Sequence, residues 1–131
     1  MLKLTRKLEY ALIALRHRQD KRDTFISAKE IADMYLIPRE LLAKTLQQMA
    51  KLNYIKAAQV SQGGYRIRKG LTEISLTQFI EAMEGPIGIV DCTINSDCVQ
   101  LDNCNIRMPI KKINNNIRAI FNGIRVGDIT S

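Results

Sequence analysis

The sequence predicts a mainly α-helical protein: a winged helix-turn-helix with a two-stranded β-wing and a C-terminal dimerisation helix. Three observations lead there. Ser27-Ala28-Lys29-Glu30 is a capping box, and about one short helix later Pro38 opens a second amphipathic stretch; helix, tight turn and second helix make the helix-turn-helix unit. Two short strand-like runs follow it, joined across Gly63-Gly64, which is the pattern of a hairpin. Near the C-terminus Ile110, Ile113, Ile117, Ile120 and Ile124 step by 3, 4, 3 and 4, an apolar heptad seam of the kind that pairs helices.

Taken in order, Thr5 to about Arg18 is read as the first helix, with Leu8, Leu12 and Leu15 at helical spacing. Its basic, apolar beginning is not a signal peptide, because Glu9 interrupts the apolar stretch and no small-residue cleavage site follows. Asp20-Lys21-Arg22-Asp23 is a charged connection. Ile26 and Ile31 stand as a hydrophobic staple around the Ser27 box, which starts a helix over 28–35. Leu36-Ile37 is the turn. Pro38 suits the first position of the next helix, where its missing N–H costs nothing, and that helix runs to about Leu52. Burying Leu42, Thr45, Leu46 and Met49 leaves Arg39, Glu40, Ala43, Lys44, Gln47 and Lys51 outward. Tyr54–Ala58 and Gly64–Arg68 are the wing strands. A second capping box, Ser75-Leu76-Thr77-Gln78, with Ile74 and Phe79 as its staple, starts a helix that stops at Gly85-Pro86. The last helix begins near Pro109. Residues 1–70 are therefore assigned to DNA binding, 71–107 to a linking helix and cysteine-bearing loop, and 108–131 to dimerisation.

The charge is divided. Residues 1–70 carry fifteen Lys and Arg against six Asp and Glu, whereas 71–131 carry five against seven. A basic half joined to a mildly acidic one implies that the first half alone meets a polyanion. Arg39 and Lys44 can donate to guanine or phosphate and Glu40 can accept from cytosine, while Lys51, Ser61, Gln62, Gly63 and Tyr65 form the flank and wing contacts to double-stranded DNA. Lys56, Arg66, Arg68 and Lys69 add phosphate contacts.

Cys92, Cys98 and Cys104 are the only cysteines, evenly spaced in one loop. An odd number cannot be fully paired within one chain and favours a reducing cytoplasm. Thiolates select zinc, cuprous copper and iron–sulfur clusters, and spacers of five residues are wider than the two to four of a zinc knuckle. The polar neighbours Asp91, Asn95, Ser96, Asp97, Gln100 and Asp102 argue against a merely apolar core role. Reversible thiol oxidation without metal remains the alternative. No apolar run approaches the ~18 residues of a membrane span, and the single histidine, with no phosphate loop or hydrolase signature, leaves no catalytic site or small-molecule substrate to assign.

Together, Leu4-Thr5 with Glu9-Tyr10-Ala11, the capping-box helix, Gly63-Gly64-Tyr65, Ile80-Glu81-Ala82-Met83-Glu84-Gly85 and the three cysteines resemble a bacterial family almost end to end. It is the family of small dimeric winged-helix repressors that includes IscR, NsrR and CymR; Glu84-Gly85-Pro86-Ile87 and Ile113-Asn114 look most like regulators of the SUF cluster-assembly operon. The resemblance implies a cytoplasmic homodimer that senses iron–sulfur, redox or nitric-oxide status and binds a near-palindromic operator. It maps Cys92, Cys98 and Cys104 onto cluster ligands, with a 2Fe–2S core favoured over 4Fe–4S. Where the iron–sulfur branch has a ligating histidine this chain has Arg107, which has no free lone pair. Where the nitric-oxide branch has a carboxylate from the other subunit stands Glu9. His17 is a weaker alternative, and Glu9 can equally be an ordinary helix residue paired to a nearby cation.

Overall fold

The computed structural model describes residues 3–17, 25–57, 64–68, 70–90, 92 and 98–131. Among these the order is α1 (Arg6–His17), α2 (Ala28–Tyr35), α3 (Arg39–Lys51), β1 (Ile55–Ala57), β2 (Tyr65–Ile67), α4 (Leu76–Glu84), α5 (Arg107–Asn122) and α6 (Val126–Thr130), with a 3-10 turn at Leu71–Glu73. The fold is the predicted winged helix-turn-helix.

Both capping boxes start their helices. Ser27 Oγ accepts from Glu30 N–H at 3.1 Å, and Ser75 Oγ accepts from Gln78 N–H at 3.0 Å. Each satisfies one of the orphan donors of a helix start. The staple residues Ile26 and Ile31 are buried, as is Phe79. Leu36 ends α2 in the left-handed region, at φ 54°, although it is not a glycine, and its side chain is 89% exposed. Pro38 sits one position earlier than expected. It precedes α3, and its carbonyl accepts the first helical bond, from Leu42 N–H at 3.0 Å.

One core holds these helices. Leu8, Ala11 and Leu15 of α1 pack with Ile31, with Leu42, Leu46 and Met49 of α3, with Phe79, Ile80 and Met83 of α4, and with Val126 of α6. Each fully buried large side chain contributes roughly 1.5–3 kcal/mol. The end of α4 is also fixed by polar contacts: the Met83 carbonyl accepts from Lys7 Nζ and from Gln48 Nε2, both at 3.0 Å.

The hairpin is antiparallel, with Lys56 opposite Arg66. Beyond expectation, β2 also pairs on its other edge: Tyr65 exchanges two backbone hydrogen bonds with Ile26, at 2.9 and 3.0 Å. The wing is thereby anchored to the start of α2. Gly64, at φ 145°, lies beneath this pairing, where an added Cβ would come within 3.0 Å of Phe25 Cβ.

The C-terminal region differs from the single helix expected over 108–131. α5 starts at Arg107, so Pro109 falls inside its first turn, where no N–H bond is lost. After α5 the chain turns back. Leu76 N–H donates to Ile124 O at 2.7 Å, Val126 N–H donates to Ile74 O at 3.0 Å, and α6 settles on the 3-10 turn and α1. Gly127 permits that approach, since a Cβ there would meet Thr72 O at 2.8 Å.

Candidate cluster loop and nucleic-acid interface

α3 presents its polar face because its apolar face is used up. Leu42, Thr45, Leu46 and Met49 are buried, and Thr45 turns its hydroxyl inward to Leu41 O at 2.9 Å. Arg39, Glu40, Lys44, Gln47 and Lys51 are left exposed. Lys56 and Arg68 of the wing are exposed too, but Arg66 lies over the Phe25 ring, 5.2 Å from its centroid. Tyr65 is half-buried against the core. Ser61, Gln62, Gly63 and Lys69 lie outside the described residues.

Cys92, Cys98 and Cys104 are free thiols, each half-buried, and Cys98 Sγ donates to Gln100 Oε1 at 3.3 Å. Among the described residues no three His, Cys, Asp or Glu side chains gather at one point; residues 93–97, between the first two cysteines, are outside them. Three unpaired, solvent-reachable thiols fit an iron–sulfur cluster as a donor set. Cys92 shares a cavity of about 160 Å³ with Arg107, Lys111, Asn114 and Asn115. Arg107 therefore stands beside a cysteine, as a cation and not as a ligand.

Glu9 lies on α1, 40% exposed, with Arg6 Nη1 at 3.2 Å. His17 has both ring nitrogens engaged, Nδ1 with Tyr35 Oη at 2.8 Å and Nε2 with Glu30 Oε2 at 2.9 Å. It is a strut between α1 and α2.

Sequence reasoning missed the bracket that holds the entrance to the cysteine loop. Asn114, which the sequence offered as part of the Ile113-Asn114 resemblance, is 5% exposed. Its Oδ1 accepts from Ile89 N–H and its Nδ2 donates to Ile87 O, both at 3.0 Å. Glu81 of α4 adds a third tie, accepting from Ile87 N–H at 2.9 Å and, through both carboxylate oxygens, from Arg118 of α5. The Arg118 bond, helped by Ile87 N–H, holds the Glu81 carboxyl below its ordinary range in spite of some burial. Ile113 and Ile120 of the seam are 47% and 63% exposed. Beside them runs an apolar groove of about 620 Å³, lined by Leu4, Leu8, Ile80, Ile87, Ile117 and Ile120 among others.

A basic helix displayed on a winged helix-turn-helix defines a DNA-binding class of protein. The family model of Rrf2, described as "Iron-dependent Transcriptional regulator", matches residues 4–131. The chain belongs to the Rrf2 family of transcriptional regulators, and is thus a regulator, not an enzyme. It is 27% identical to the HTH-type transcriptional regulator NsrR of Bacillus licheniformis over 115 residues, 85% of this chain and 80% of that one. Its fold matches the crystal structure of the oxidized form of Staphylococcus aureus CymR with TM-score 0.77 at 18% identity, covering 99% and 97% of the two chains. T. potens IscR matches with TM-score 0.70 at 20% identity, covering 98% and 85%. No described helix is long and apolar enough to cross a membrane.

Proposed function

We propose that the protein is a homodimeric, operator-binding repressor that works in the cytoplasm and reports iron–sulfur, redox or nitric-oxide status through a cluster on Cys92, Cys98 and Cys104. The observation that carries this reading is the placement of three unpaired, accessible thiols immediately ahead of α5, in a chain whose other half is a basic winged helix. A bound cluster supplies one-electron chemistry and an iron that small oxidants can reach. A 2Fe–2S core is favoured, with Glu9 of the second subunit as the fourth donor. Half-exposed Ile113 and Ile120 beside the long apolar groove support pairing through α5.

In this reading Arg39, Glu40 and Lys44 face base edges, while Lys51, Ser61, Gln62, Gly63 and Tyr65 contribute flank and wing contacts. Two-fold pairing then calls for half-sites about one helical turn apart in a near-palindromic operator.

The test is anaerobic purification followed by visible absorption, iron and acid-labile sulfide assays, and operator titration of loaded and stripped protein. Matching iron and sulfide, with affinities that differ between the two forms, is the expected result. A colourless protein that resists reconstitution refutes the cluster. Operator binding that then responds to thiol oxidation would establish the cluster-free thiol regulator, for which the three free, accessible cysteines are also suited.

A further inference from the structure

Leu36, in the turn of the helix-turn-helix, has a conformation and an exposure that the protein's own core does not explain. It ends α2 in the left-handed region, at φ 54° and ψ 45°, which glycine adopts without penalty and a residue with a Cβ does not. The next residue, Ile37, is buried, and its N–H bonds to Ala32 O at 3.0 Å, so the turn is held from inside. The Leu36 side chain is instead 89% exposed. An apolar group with a strained backbone and no cover from water stabilises nothing in the free protein. Three residues on, α3 opens with Arg39 and Glu40, and Leu41 in the same turn is 37% exposed.

We propose that Leu36 is a specificity-determining residue that packs against the 5-methyl group of one thymine in the operator half-site. The inference rests on the reading of α3 as the recognition helix. Such a helix presents its N-terminal end to the base edges, and Leu36 sits on the turn that leads into that end, which carries it to the same groove. On the major-groove edges the thymine methyl is the apolar group, beside hydrogen-bond donors and acceptors that a leucine cannot answer. Contact with it removes both apolar surfaces from water.

The test takes an operator selected from random DNA and replaces each thymine in turn by uracil, which lacks only the 5-methyl. Fluorescence anisotropy then gives the affinities of wild type, Leu36→Gly, Leu36→Met and Arg39→Ala. Wild type is expected to lose about threefold to fivefold at one thymine of a half-site, the contribution of one buried methyl. Leu36→Gly binds the unmodified operator more weakly by at least that factor and no longer distinguishes thymine from uracil at that position. Its salt slope stays at the wild-type value, because no phosphate contact is lost. Leu36→Met keeps the discrimination. Glycine relieves the turn, so Leu36→Gly melts no lower than wild type; should it melt lower, Leu36→Asn, which also tolerates the left-handed region, takes its place in the titration. A wild type indifferent to uracil at every position, or a Leu36→Gly that discriminates as wild type does, overturns the inference and leaves the recognition helix standing. An Arg39→Ala variant with unchanged affinity and base preference overturns the recognition-helix reading and this inference with it.

Discussion

Replacing Asn114 by alanine removes a bracket, and its cost can be worked out bond by bond. The side chain is 5% exposed and makes two hydrogen bonds of 3.0 Å, one from Ile89 N–H and one to Ile87 O. A typical intramolecular hydrogen bond contributes about 0.5–1.5 kcal/mol, and a buried group left without its partner costs about 1–3 kcal/mol. Segment 87–89 is half-buried, so water recovers part of the loss. About 2–4 kcal/mol in total is expected for Asn114→Ala. For a domain of this size each kcal/mol lowers the melting temperature by about 3–5 °C, giving a fall of about 6–20 °C. Thermal melts of the metal-free protein followed by circular dichroism measure it. Asn115→Ala is the control, because Asn115 is exposed and surface changes stay within about 0.5 kcal/mol. If the two variants melt within about 2 °C of each other, the bracket carries no stability and its role as anchor of the cysteine loop is refuted.

The companion tie to Glu81 has a pH signature. Its carboxyl is held below the ordinary value of 4.5 chiefly by the Arg118 hydrogen bond, so the stability it adds is complete above that value and drains away as pH falls through the lower, folded value. Urea unfolding of Glu81→Gln and wild type should therefore differ at neutral pH and converge in acid; a constant difference contradicts the linkage. Gly127→Ala drives a Cβ into Thr72 O at 2.8 Å and is expected to cost about 1–3 kcal/mol, read as a shifted denaturant midpoint with unchanged slope. On an operator selected from random DNA, Lys44→Ala should lower the salt slope of binding by about 1, whereas Arg39→Ala should cost about 1–3 kcal/mol and relax base preference; fluorescence anisotropy across a salt series separates the two. Cys98→Ser should abolish iron and sulfide retention while leaving the melting temperature near wild type, since Cys98 bonds only locally, to Gln100.

The elements that were legible from sequence are those whose signals are local. Ser27 and Ser75 announce their helices because a hydroxyl reaches only three residues ahead, and the buried face of α3 follows from its own spacing. What stayed hidden depends on distant partners. Asn114 reads as a surface amide until Ile87 and Ile89 arrive beside it. α6 has five residues, too few for periodicity, and is held by pairing with Ile74 and Leu76. The second edge of β2 needs Ile26, from the far side of the helix-turn-helix. In the candidate site, the cysteines and Arg107 stand out by residue type, but only the fold puts Arg107 and Lys111 into one cavity with Cys92.

The return of α6 gives the regulator a property of its own under proteolysis. The chain comes back to the winged-helix body after α5, where the Leu76–Ile124 and Val126–Ile74 bonds and buried Val126 fasten its return beside the start of α4. A protease that cuts within the cysteine loop would sever the chain but not this fastening. The two pieces are then expected to elute as one particle, with α5 still moored through Asn114 and Arg118.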